Sequence, residues 1–124
     1  MKSSLTLARP ISVSEKEVLR ATLEADKKSQ QSLSLLGQID GLSVVNKCDC
    51  GCDSVDFVGF SQNVPRQRVA NGIGITPTGG KVGIIIWGVG DKITGLEVYS
   101  EGAKDDDIKL PIPSSIHSWT SGAV

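Results

Sequence analysis

The stretch Lys81-Val-Gly-Ile-Ile-Ile-Trp87 constrains the fold of this chain more than any other. It is apolar on both alternating faces, with Val82, Ile84 and Ile86 on one and Ile85 and Trp87 on the other. A strand patterned in this way must be covered on both sides, so it belongs inside a sheet. Turn-rich segments bound it, Pro77-Thr-Gly-Gly80 before and Gly88-Val-Gly-Asp91 after. Joints this short link antiparallel neighbours, because a parallel crossover needs about a dozen residues. The flanking runs agree: Arg68 to Thr76 alternates with Val69, Ile73 and Ile75 on one face, and Ile93 to Ser100 sets Leu96 and Val98 opposite Glu97 and Tyr99. Upstream, Leu42 to Lys47 and Ser54 to Phe60 read as a hairpin around Cys48-Asp-Cys-Gly-Cys-Asp53. Downstream, Pro111 and Pro113 exclude Ile108 to Ile112 from a central strand and make it an edge segment crossing the sheet rim, followed by a frayed tail to Val124.

Before residue 42 the texture is helical. Val13-Ser-Glu-Lys-Glu-Val18 predicts a helix over about 14 to 28, with Ser14 as N-cap, Glu17 returning the bond and Val13 stapling onto Val18. A second short helix is expected from Ser32 to about Ile39, where Leu33, Leu36 and Ile39 fall at helical spacing. The expected fold class is α+β. Two N-terminal helices (about 14–40) pack on a roughly five-stranded antiparallel meander (about 42–100) in a single domain, 1–124, whose residues 108–124 form the edge segment and tail.

The charge balance narrows the function. With 13 basic and 14 acidic side chains the net charge is -1, which lacks the basic footprint of a nucleic-acid partner. No apolar run approaches the ~20 residues that span a bilayer, and the first residues hold no apolar block of a signal peptide. Three cysteines within five positions suit a reducing, cytoplasmic location better than a disulfide framework.

Those cysteines are the most unusual constellation. Zinc-bound sulfurs sit about 3.8 Å apart, whereas alternate residues of an extended strand are about 6.5 Å apart, so only a turn at Gly51 gathers Cys48, Cys50 and Cys52. Three thiolates leave a fourth place for His117, Asp49, Asp53 or water, and this defines the zinc alternative. The plainer reading has no cofactor, with Cys48 and Cys52 as small buried residues and Cys50 at the turn tip. Gly72-Ile-Gly74 and Gly88-Val-Gly90 run into strand rather than a helix N-terminus, so they do not cradle phosphate. Asp56 and Glu97 are the least implausible acid and base, although alternation places each on a wet strand face. Glu101 with Asp105, Asp106 and Asp107 forms an acidic patch fit to meet a basic partner.

Cys48-Asp-Cys-Gly-Cys-Asp-Ser-Val-Asp56 and Gly95-Leu-Glu-Val-Tyr-Ser100, with Gln38 ahead of the first strand, resemble a family of small stand-alone bacterial proteins that carry a Cys-x-Cys-Gly-Cys segment and a later Leu-Glu-Val-Tyr strand. The resemblance covers about residues 33 to 100. It implies a bacterial source and no activity, because the family itself has none assigned. By elimination the expected function is a non-catalytic protein-binding module, an adaptor, regulator or immunity-type protein, with Glu101 and Asp105 to Asp107 at its contact surface. A zinc-binding structural or sensor protein is the alternative, and a small hydrolase-like enzyme a distant third.

Overall fold

The computed structural model describes residues 8–26, 35–47, 52–61 and 63–118. Its strands are β1 (Arg9–Pro10), β2 (Ser43–Lys47), β3 (Val55–Phe57), β4 (Gln67–Ile75), β5 (Lys81–Val89), β6 (Lys92–Ser100) and β7 (His117–Ser118), with one α-helix, α1 (Val13–Ala25). The strands form a single antiparallel sheet in the order β1-β2-β3-β6-β5-β4-β7. Among the described residues the protein is therefore mostly sheet, and the expected two helices on a five-stranded meander are corrected to one helix on seven strands. Residues 32–34 of the second expected helix lie outside the described residues; beyond them Leu35 and Leu36 are helical, and a turn leads into a 3-10 helix at Ile39–Gly41.

The meander holds only for β4, β5 and β6. β2 and β3 pair with each other, but β4 lies on the far side of β6 and β5, so β3 pairs with β6 instead of β4. β5 lies between β6 and β4 and is interior, as its pattern requires, with Ile84 fully buried on one face and Ile85 8% exposed on the other. The core gathers Val82, Ile84 and Ile86 of β5, Leu96 and Val98 of β6, Val55 and Phe57 of β3 and Val44 of β2 beneath Val18, Leu19 and Leu23 of α1.

α1 begins one box earlier than the sequence suggests. Ser12 is the N-cap; its hydroxyl accepts from the Glu15 amide at 3.1 Å and the Glu15 carboxylate accepts from the Ser12 amide at 2.9 Å. Glu15 is chosen over Glu17 because it faces inward, where Arg9 grips it with two hydrogen bonds of 3.0 and 2.8 Å. Ser14 and Glu17 are exposed. Ser12→Ala is expected to cost about 0.5–2 kcal/mol in a urea titration and Ser14→Ala to change stability by less than about 0.5 kcal/mol. The reverse order would return the cap to Ser14. The helix also ends early, at Ala25, because Asp26 leaves it to accept the Asn71 amide of β4 at 3.0 Å.

On β4 it is glycine, not isoleucine, that faces the core. A Cβ on Gly72 would stand 3.1 Å from the Ile116 side chain and 3.7 Å from that of Thr22, and one on Gly74 would stand 2.8 Å from Pro111. Their bareness lets α1 and the chain after β6 press onto the sheet. Ile108 to Ile112 runs from the start of β3 to the end of β4. The Ile108 carbonyl accepts from the Asp53 amide at 3.2 Å, the Asp53 carboxylate accepts from the Leu110 amide at 2.8 Å, and the Ile112 amide donates to the Ile75 carbonyl at 2.8 Å. The edge strand itself is β7, beyond it. Gln38 ties the β5–β6 turn to the first half of the chain, donating to the Asp91 carbonyl and accepting from the Ile93 amide at 2.9 Å. No helix among the described residues is long and apolar enough to cross a membrane.

Candidate functional site

The face of the sheet turned away from α1 carries Asp56 of β3, Gly95, Glu97 and Tyr99 of β6 and Ile85 and Trp87 of β5. Strand alternation requires this, since each is offset by one from a core residue. A hollow of about 410 Å³ opens there, and Asp56, Glu97, Trp87, Arg66, Asn46 and Lys47 provide its polar and aromatic lining. It exists because β3 is short. Its ladder to β6 begins only at Val55, and at Ser54 the side chain takes over, accepting the Val98 amide at 2.8 Å and meeting the Val98 carbonyl at 3.2 Å. The strands part beyond that point.

Arg66 organises the hollow. It stands just before β4, its guanidinium 4.4 Å from the Trp87 ring centroid and 5.7 Å from that of Phe60, with Nη1 3.6 Å from Asp56 Oδ1. Gly95 makes the room: a Cβ there would come within 3.1 Å of Arg66 Nη1. Trp87 is locked in turn by its indole Nε1, which donates to Glu97 Oε1 at 2.8 Å. Among the described residues nothing else bonds the Glu97 carboxylate. Burial pushes the Asp56 carboxyl above its usual range, while Arg66 and the Asn46 side chain pull the other way. Burial and the neighbouring Glu101 likewise raise the Tyr99 phenol, whose ring lies over Gly83.

A raised carboxyl means that folding favours its protonated form. The charge on Asp56 thus costs stability above its folded pKa, and the cost disappears as pH falls through that value. Asp56→Asn is expected to be more stable than the wild type at neutral pH, with the difference shrinking as pH falls and gone below about pH 4. Melting curves across that range check this; a destabilised variant at pH 7 would mean that the Arg66 pair outweighs burial.

The structure brings Asp56 and Glu97 into one hollow, half-buried rather than on a wet face. It divides the acidic patch. Glu101, Asp105 and Asp106 are exposed, whereas Asp107 accepts from the hydroxyls of Thr76 at 2.9 Å and Thr78 at 2.5 Å and clamps the β4–β5 turn. Those bonds, Thr78 first, hold the Asp107 carboxyl below its usual range. Cys48 and Cys50 lie outside the described residues, and Cys52 is buried beside the hollow. His117 lies exposed on β7, with three strands between it and β3, so it is not brought to Cys52. Asp53 is occupied by Leu110 and by Lys47, 3.8 Å away. Among the described residues no three metal-ligating side chains gather.

Sequence reading passed over Arg66 and the polar use of Trp87. The Pro65-Arg66-Gln67-Arg68 joint offers no periodicity, and the partner indole lies 21 residues on. Set against family models, curated proteins and solved structures, the chain matches none of them.

Proposed function

We propose that the protein is a non-catalytic protein-binding module of the adaptor, regulator or immunity type, and that it holds its partner on the sheet face around the hollow. The observation that carries this reading is the Arg66–Trp87 stack beside an open cavity. Tryptophan and arginine held rigid and partly shielded are the residue types that dominate binding energy at protein interfaces. Two further features support it. Glu97 is engaged by Trp87 and Asp56 by Arg66, which leaves neither carboxylate free as a catalytic base, and Glu101, Asp105 and Asp106 are exposed.

The test is comparative capture. Tagged wild type, Trp87→Ala, Arg66→Ala and a far-face control, Glu24→Ala, are checked for folding by circular dichroism and exposed to a bacterial lysate. A protein held by wild type and control and lost from the two site variants supports the module. Identical captures by all four refute it.

One observation favours catalysis instead, the shared hollow of Asp56 and Glu97 with the Asp56 carboxyl raised. A hydrolytic turnover abolished by both Asp56→Asn and Glu97→Gln would establish that reading. Zinc at the cysteine segment is decided by native mass before and after a chelator.

A further inference from the structure

We propose that the hollow binds an uncharged polyhydroxylated ring compound, a neutral sugar. The inference goes beyond the binding-module reading and stands independently of it, since the rim can carry a protein contact while the hollow is filled. The charges around the cavity cancel. Asp56 pairs with Arg66 at 3.6 Å and is bonded by the Asn46 side chain, Glu97 accepts from the Trp87 indole, and Lys47 pairs with Asp53 at 3.8 Å. Arg68 stands over the same indole, 6.0 Å from its centroid. Asp56 and Glu97 are thus matched by Arg66 and Arg68, and the site selects neither a cation nor an anion. What it keeps in excess is hydrogen-bonding capacity. Among the described residues Arg66 meets no acceptor within hydrogen-bond distance, and Glu97 uses only Oε1, which leaves Oε2 without a donor. A guanidinium only donates and a carboxylate only accepts. A hydroxyl does both, so one polyol accepts from Arg66 and donates to Glu97. The two sides are close enough for one ring, because Gly95, the strand partner of Asp56, is two residues from Glu97 on the same face. A lone carboxamide also donates and accepts, but a sugar ring projects hydroxyls to several sides at once and, being rigid, loses little conformational entropy on binding. The volume, about 410 Å³, is in the range of small-ligand sites, and Trp87 offers apolar surface to the C–H edges of a ring. An apolar ring would strip water from Arg66 and Glu97 and replace none of its bonds.

The probes are methyl glucoside, methyl galactoside and methyl mannoside, with glucuronate, glucosamine, acetamide and cyclohexanol as comparisons. Each is titrated into the full chain while the Trp87 indole N–H resonance is followed by NMR. That resonance reports directly because the indole bonds Glu97. A saturable shift is expected with at least one neutral glycoside, a weaker one with the charged sugars, and none with acetamide or cyclohexanol. Arg66→Ala and Glu97→Ala, checked for folding by circular dichroism, should each weaken the binding glycoside at least about tenfold, since each removes a charge-assisted bond. Neutral glycosides that leave the indole unmoved, or that act no better than the charged sugars or cyclohexanol, overturn the inference. Capture that depends on Trp87 without any glycoside shift would leave the module standing and remove the sugar site. A glycoside shift with identical captures by all variants would do the reverse.

Discussion

Ile84→Asp is expected to leave the protein unfolded. Ile84 has no exposed surface and lies in the middle of an interior strand, between Gly72 of β4 and Val98 of β6, with the core around it. A carboxylate placed there finds no cation and no water. Its burial belongs with the largest single-residue effects, above about 4 kcal/mol, against a total stability of about 5–15 kcal/mol. Ile84→Val, by contrast, should cost about 0.5–1.5 kcal/mol. Ile85→Asp, on the opposite face at 8% exposure, should also be severely destabilising, since its cross-strand neighbour Glu97 carries the same charge. Urea titrations give the comparison. If either aspartate variant came within about 0.5 kcal/mol of wild type, β5 would have to be an edge strand.

The legibility of β5 has a plain cause: an apolar pattern with period two on both faces admits few environments, and glycine-rich turns fix its neighbours β4 and β6 as antiparallel. Which face of β4 points inward was not legible in the same way. Ile73 and Ile75 look like the core side, yet the core side carries Gly72 and Gly74, because the chain after β6, at Pro111, Ile116 and the His117 carbonyl, comes within about 3 Å of where a Cβ would stand. Such a choice depends on elements distant in sequence. The same holds for β3 joining β6, which no local signal demands, and for β1 and β7, two residues each, which exist through pairing alone. The helix cap failed for a subtler reason. Ser12-x-x-Glu15 and Ser14-x-x-Glu17 both satisfy the local rule, and Arg9 decides between them by partnering Glu15. In the hollow, Asp56 and Glu97 were visible as a pair of carboxylates on alternating strands. Their proximity was not, since it follows from the β3–β6 pairing, and Arg66 arrives from a loop without pattern.

Phe57→Ala should have the second largest effect, and it reaches the site through the strand that bears it. β3 has three residues, and only Val55 and Asp56 pair with β6. So short a ladder holds little by backbone bonding. The strand is fixed by what it buries: Phe57 at 0% exposure and Val55 at 4%, the two core anchors on either side of Asp56. Truncating a fully buried phenylalanine costs about 3–5 kcal/mol through lost transfer energy and the cavity left behind. Because Val55 alone would then hold β3 to the core, Asp56 should lose its fixed distance from Arg66, and the hollow its wall. Where the variant remains folded in the cold, the Trp87 indole resonance should broaden or move while amide signals of β4 and β5 stay in place. A variant that loses 3 kcal/mol or more with an unchanged indole signal would mean that Arg66 and Trp87 hold their arrangement without β3, and that the face turned away from α1 is ordered by β5 and β6 alone.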